Sequence, residues 1–301
     1  MEIDLHDVTL FYHVEGSGDP ALVMHGGLGA DHTAFVNSGF NKLSNKLELI
    51  YYDHRCNGRS SFPGIETLTH KNLAADAENL RIALGHKNLT VIGHSYGGIT
   101  GLEYALRYPS NLRRLVLITT TPSGNALGEA RKIAETRAPH LMSTVDKMLG
   151  GECANDNEFI ELLTTLAPLY FKDFHLFESE FSEAAKDMVP NAAAFRHSFT
   201  ELLPKYDLRE KLVNINVPVL ILCGRHDWIT PVSQSKILNE KIQKNIIIKH
   251  LILSTDKKNN YGQRSTVTRP RPSTGHCQAQ CRQEVQGQNQ ALAFTPVHES
   301  W

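Results

Sequence analysis

The stretch LTVIGHSYGGITGLEYALR, residues 89–107, decides the reading of this chain. Residues 89–93 are a short apolar run, as expected of a strand buried on both faces. Ile99, Leu102, Ala105 and Leu106 then recur at three- and four-residue spacing, which predicts a helix. Between them stands Gly93-His94-Ser95-Tyr96-Gly97, of the form G-x-S-x-G, with Gly98 following. A chain that turns sharply from strand into helix needs glycines beside the turn so that backbones can approach. The serine is then presented at a helix N-terminus, where partial positive charge favours a developing anion. Ser95 is therefore the candidate nucleophile; a glycine-rich turn with a chance serine is the plain alternative.

Other punctuation falls in the same rhythm. Residues 21–24 are apolar and end at His25-Gly26-Gly27-Leu28-Gly29, a loop able to aim a backbone N–H at a substrate carbonyl. With the N–H of the residue after the serine, this makes Gly27 and Tyr96 the candidate oxyanion-hole donors. Residues 49–52 are apolar and end at Asp53 in YYDHRCNGRS, where Asp53 reads as a loop organiser with Arg55 and Arg59. Residues 217–223 are apolar and lead into Gly224-Arg225-His226-Asp227-Trp228. A carboxylate at such a strand end can orient a histidine and stabilise its imidazolium, although a helix-capping aspartate looks the same in sequence.

Further apolar runs cover 115–119 and 246–253, and residues 3–12 read as a strand or hairpin. Helical spacing covers 70–84 and 233–242. Alternation of strands and helices predicts an α/β fold with a mostly parallel sheet and helices on both faces. The rhythm stops over 122–205, where Phe159, Leu162, Leu163 and Leu166, then Phe195, Phe199, Leu202 and Leu203, give helical patterns. We expect a core of 1–121 and 206–253, a helical cap over 122–205, and an atypical, poorly ordered tail over 254–301. Residues 257–301 hold seven Gln, six Lys/Arg and two Asp/Glu with few large aliphatics, so they offer little surface for a core.

The order HGGLG, DHRCNGRS, GHSYGG and GRHDWITP resembles the α/β-hydrolase superfamily, in its proline iminopeptidase-like and non-haem haloperoxidase/esterase-like branch. The resemblance covers about residues 1–250. It implies the α/β-hydrolase fold, Ser95 as nucleophile and Asp227 as triad acid. The sequence departs from the family at Cys56, where glycine is usual, and in its C-terminal part. The family's histidine follows a late strand; here the only Gly-His pair downstream is Gly275-His276, 49 residues after Asp227. Of His250, His276 and His298, His276 has the adjacent glycine, a loop setting and the order Ser, Asp, His, and is the candidate base.

Lys plus Arg number 31 and Asp plus Glu 32, a net charge of -1, so no general nucleic-acid binding is expected. No apolar run approaches the roughly 20 residues of a membrane helix. The N-terminus lacks a basic region and an apolar core, and five scattered cysteines argue against a disulfide scaffold, so a cytoplasmic location is expected. His276-Cys277 with Cys281 matches no complete metal-site spacing, and no nucleotide fingerprint occurs; neither metal nor cofactor is expected. The expected partner is a small-molecule or short-peptide substrate. Three functions stay open: an aminopeptidase whose acids at Asp173, Glu178, Glu180, Glu183, Asp187, Glu201 or Asp207 meet a substrate ammonium; a small-acyl esterase, lactonase or perhydrolase; and a non-catalytic binding protein with a degenerate triad.

Overall fold

The short apolar runs are strands of one sheet. The computed structural model describes residues 1–242 and the strand Ile246–Lys249. Eight strands pair among the described residues: β1 (Glu2–Leu5), β2 (Val8–Glu15), β3 (Asp19–Met24), β4 (Leu47–Tyr52), β5 (Leu89–His94), β6 (Leu112–Ile118), β7 (Val219–Leu222) and β8 (Ile246–Lys249). Their order is β1-β2-β4-β3-β5-β6-β7-β8. β2 runs antiparallel to β1 and β4, and every other neighbouring pair is parallel.

Both faces of the central strands are buried, which is why these strands read as unbroken apolar runs. Leu22 and Met24 of β3 enter one core, and Ala21 and Val23 enter the other. Val91 and Ile92 of β5 divide the same way, as the two-residue period of a strand requires.

Nine α-helices are described. They are α1 (Thr33–Val36), α2 (His70–Ala83), α3 (Tyr96–Arg107), α4 (Ala126–Arg137), α5 (Met142–Leu149), α6 (Asp156–Leu166), α7 (Glu178–Ala185), α8 (Ala192–His197) and α9 (Val232–Lys241). Leu73, Leu80, Leu102 and Leu238 of α2, α3 and α9 fill the core on one face of the sheet. On the opposite face Phe40 of the short helical segment Gly39–Asn45 closes over Val23, Tyr51 and Ile92. α2 begins where Thr69 accepts the Asn72 N–H at 3.1 Å, a side-chain cap for an otherwise orphaned donor.

α4 to α8 all lie between β6 and β7. Ala130, Ala134, Val145, Phe159, Leu162 and Phe195 bury one another there. Trp228, from the loop after β7, joins that cluster and is fully buried. The strand expected over 246–253 is described from Ile246 to Lys249. The expected tail over 254–301 and the candidate base His276 lie outside the described residues.

The strand order places a site. From β3 the chain leaves to one side to make β4, and it returns to make β5 on the other side of β3. The loops after β3 and β5 therefore part in opposite directions and leave a crevice at their carboxyl ends, where ligands of open α/β sheets bind.

Candidate active site

Ser95 stands at that crevice. It is the N-cap residue of α3, with φ 52° and ψ −116°. A serine at this position normally spends its oxygen on the second or third helical N–H. Here no such bond forms, and among the described residues no hydrogen bond takes the Ser95 hydroxyl. The positive φ costs on the order of 1–3 kcal/mol for a side chain with a Cβ. The strain is held by neighbours: the Ser95 N–H donates to the Ile118 carbonyl at 2.9 Å, and the Ser95 carbonyl accepts from Thr120 Oγ1 at 2.7 Å. A Cβ on Gly97 would run into the Met24 carbonyl, so the glycine lets α3 start hard against the end of β3.

The loop after β3 comes to the same place. A Cβ on Gly26 would lie 3.1 Å from Ser95 Cβ, so this loop runs directly alongside the serine. Gly27 has φ 46° and open space where a side chain would be. The Tyr96 N–H, first in its helix, has no intrahelical acceptor. The Tyr96 hydroxyl bonds His70 Nε2 at 2.8 Å; burial, with the Arg107 charge, lowers the His70 pKa to about 4, so this imidazole is neutral near pH 7.

A buried polar scaffold fixes the loop, and most of it carries no sequence signal. His25 Nε2 accepts the His54 N–H at 3.1 Å, which leaves Nδ1 to donate to the Gly26 carbonyl at 2.8 Å. Asn57 Oδ1 accepts the Gly29 N–H at 2.5 Å. Asp53 accepts the His32 N–H at 3.0 Å, bonds His32 Nδ1 at 2.6 Å and accepts the Arg59 N–H at 2.8 Å. Burial opposes the Asp53 charge, but the His32 bond and the His25 and His32 fields outweigh it and keep its carboxyl below the usual range. Asp53 and Arg59 thus organise the loop as expected. Arg55 turns the other way, to Asp76 of α2 at 2.7 and 2.6 Å. Cys56 has φ 60°.

His54 is fully buried, and among the described residues neither of its ring nitrogens has a partner. Burial, with the neighbouring His25, pushes its pKa well below the usual 6.5. The unfolded chain takes up that proton as pH falls through about 6.5 while the folded chain does not, so folding weakens toward acid. His54→Leu is expected to flatten this loss and to gain about 1 kcal/mol by removing unsatisfied nitrogens. Urea midpoints at pH 7 and pH 5 measure it; an unchanged difference between the two pH values would exclude His54 as the source.

Asp227 sits at the turn between β7 and α9. Oδ1 accepts the Ile229 N–H at 3.0 Å and the Thr230 N–H at 2.8 Å, and Oδ2 accepts Thr230 Oγ1 at 2.9 Å. Burial raises its pKa, against these bonds and the Arg137 charge. Among the described residues no imidazole is hydrogen-bonded to Ser95 or to Asp227. His226 is exposed, and its carbonyl accepts from Arg137. His94 packs its ring edge-on to Phe35 at 5.6 Å, and burial lowers its pKa to about 4.

The acids considered for a substrate ammonium behave differently. Glu201 pairs with Lys205 at 2.8 Å, both exposed, and exposed Asp207 pairs with half-buried Arg209. Asp187 accepts Asn37 Nδ2 at 3.2 Å. Beside the β3 loop stand aromatic rings: a Cβ on Gly29 would lie 2.8 Å from Phe195 Cβ and 3.1 Å from the Phe159 ring. Among the described residues no cluster of three His, Cys, Asp or Glu is arranged for a metal, Cys56, Cys153 and Cys223 are free thiols, and no helix is long and apolar enough to cross a membrane.

A strand–serine–helix turn at the switch point, with a glycine loop beside it, is the hallmark of one family. The sequence profile of the α/β-hydrolase fold matches residues 20–253, and the chain belongs to that family. Proline iminopeptidase PfmaB of Pestalotiopsis fici is 26% identical over 249 residues, 80% of this chain and 87% of that protein. A putative carbamate hydrolase, RutD, of Azorhizobium caulinodans is 27% identical over 78% of this chain and 84% of its own length. The fold is also that of a hydrolase from Pseudomonas aeruginosa, with TM-score 0.65, 24% identity, and 83% of this chain and 89% of that one covered. The chain is thus an α/β hydrolase related to proline iminopeptidases.

Proposed function

We propose that this hydrolase is a serine enzyme that cleaves a small ester or amide through an acyl-enzyme. The observation that carries the reading is Ser95, held at φ 52° with its hydroxyl left out of the helix cap. In this mechanism Ser95 Oγ bonds to the substrate carbonyl carbon as a histidine takes its proton. The oxyanion rests on the Gly27 and Tyr96 N–H groups, and the histidine returns the proton to the leaving alcohol or amine. Water, deprotonated by the same histidine, then releases the acid and restores Ser95. Asp227 holds the imidazole tautomer, and His276 is the proposed base from its order in the chain and its preceding glycine. The helices α4–α8 act as a cap that shapes the pocket and excludes water.

Two substrate classes share this chemistry. The kinship with a proline iminopeptidase supports an amide with a free N-terminus. The pairing of Glu201 with Lys205 and of Asp207 with Arg209 withdraws two of the acids that could meet an ammonium, which favours an uncharged ester or lactone. Hydrolysis of a prolyl arylamide and of acetyl and butyryl aryl esters separates them. His276→Ala, and truncation after Leu253, are expected to reduce turnover by about 10³-fold or more while fluorophosphonate labelling of Ser95 slows in step. A truncated chain as active as the full one would refute His276 as base, and failure of the full chain to react with either ester or fluorophosphonate would refute the serine mechanism.

A further inference from the structure

The loop that carries Asp227 is held by the helical insertion as well as by the sheet. Trp228, the next residue, is fully buried among insertion residues, with the Tyr170 ring edge-on at 5.7 Å. On the other side stands Arg137, the last residue of α4. Arg137 Nη1 donates to the His226 carbonyl at 2.7 Å and Nη2 donates to the Phe171 carbonyl at 3.1 Å. One guanidinium therefore ties the residue before Asp227 to two parts of the insertion. Between α4 and this loop lies a cavity of about 320 Å³, lined by Arg137, Glu129, Arg225, His226 and Asp227 among others.

We propose that Arg137 is a positioning residue for Asp227, through which the insertion holds that loop in place and keeps a cation beside its carboxylate. The proposal rests on the reading of Asp227 as triad acid. The guanidinium suits this work because its rigid fork presents separate N–H groups to two carbonyls at once and stays charged at every working pH. Asp227 needs the help. Burial disfavours its charged form; the Thr230 and Ile229 bonds oppose that effect first, and the Arg137 charge adds to them. Other groups face the same carboxylate among the described residues. Tyr170 and Cys223 respond to its charge, Thr230 donates to it, and Arg225, His226 and Glu129 share the cavity. Glu129 Oε2 accepts from Ser233 Oγ at 2.6 Å and Gln234 Nε2 at 3.1 Å, and among the described residues no bond joins Glu129 to Arg137. Arg137 remains partly solvated, so its field is screened and a moderate effect is expected.

The test is a pH profile of kcat/KM for the full-length enzyme, with kcat and KM separated at pH 8. Arg137→Met keeps the apolar stem and removes the charge and both bonds. It is expected to move the acid limb upward by about half a pH unit or more and to lower kcat about tenfold with KM little changed. Arg137→Lys keeps the charge but cannot span both carbonyls. Its acid limb should stay near that of the wild type while kcat falls several-fold. If Arg137→Met does not fold, Arg137→Lys carries the test alone, and a wild-type kcat there overturns the clamp. Acid limbs and kcat values unchanged in both variants overturn the proposal as a whole. Asp227→Asn, measured alongside, separates the two levels: a nearly active Asp227→Asn enzyme removes the triad reading itself, whereas an inactive one beside unshifted Arg137 variants removes only the role of Arg137.

Discussion

Replacing Ser95 by alanine is expected to lower kcat for any aryl ester by at least about 10⁴-fold and to abolish fluorophosphonate labelling, with the fold intact. The size follows from the chemistry: without the oxygen no acyl-enzyme forms, and what is left is binding and oxyanion stabilisation. The fold survives because the hydroxyl makes no hydrogen bond among the described residues, and the Ser95 N–H and carbonyl bonds to Ile118 and Thr120 involve only backbone atoms of residue 95. Alanine meets the same strain at φ 52° as serine. The melting temperature is therefore expected to change little. Turnover well above a buffer control would remove Ser95 from the mechanism.

Asp227→Asn is expected to cut kcat by up to about 10⁴-fold, because a carboxamide in place of the carboxylate favours the wrong imidazole tautomer and leaves an imidazolium without its counter-charge. The loop itself should hold. The asparagine oxygen still accepts the Ile229 and Thr230 N–H groups, and the Thr230 hydroxyl can rotate to accept from the new amide where it now donates to Oδ2. Unfolding in urea is the control. A variant within a few-fold of wild type, equally stable, would mean that Asp227 is only a helix-capping residue or that another carboxylate serves.

Much of the fold is legible in the sequence for one reason. The central strands are buried on both faces, so residues 21–24, 49–52 and 89–93 stand out as apolar runs, and Gly26 and Gly27 mark the end of the first and Gly93 and Gly97 that of the third. The turn around Ser95 is legible because its geometry excludes side chains: a Cβ at Gly97 has nowhere to go. The scaffold behind the glycine loop is not legible in this way. His25, His32, Asp31 and Asn57 are polar residues that look like loop composition until burial makes every hydrogen bond count. Only their buried state explains why Asn57 meets the Gly29 N–H and why Asp31 accepts Arg59 at 3.0 Å and the Val189 N–H at 2.9 Å, across to the segment before α8. Arg55 stands two residues from Asp53, yet its charge is buried and goes to the carboxylate of a different element, Asp76.

The α/β alternation, the helical patterns over 122–205, the turn at Ser95 and the carboxylate after residues 217–223 can all be read along the chain. These are local facts, written in the period of apolar residues and in glycines whose backbone positions admit no Cβ. What those features meet is set by packing. A strand order that puts β3 next to β5 brings Gly26 alongside Ser95, Glu201 and Asp207 pair with their own neighbours, and Arg137, ninety residues before Asp227, reaches the His226 carbonyl while Trp228 sinks into the insertion cluster. Such contacts depend on how two elements pack across tens of residues, and a side chain's partner there is chosen by burial and reach, which the local sequence does not encode.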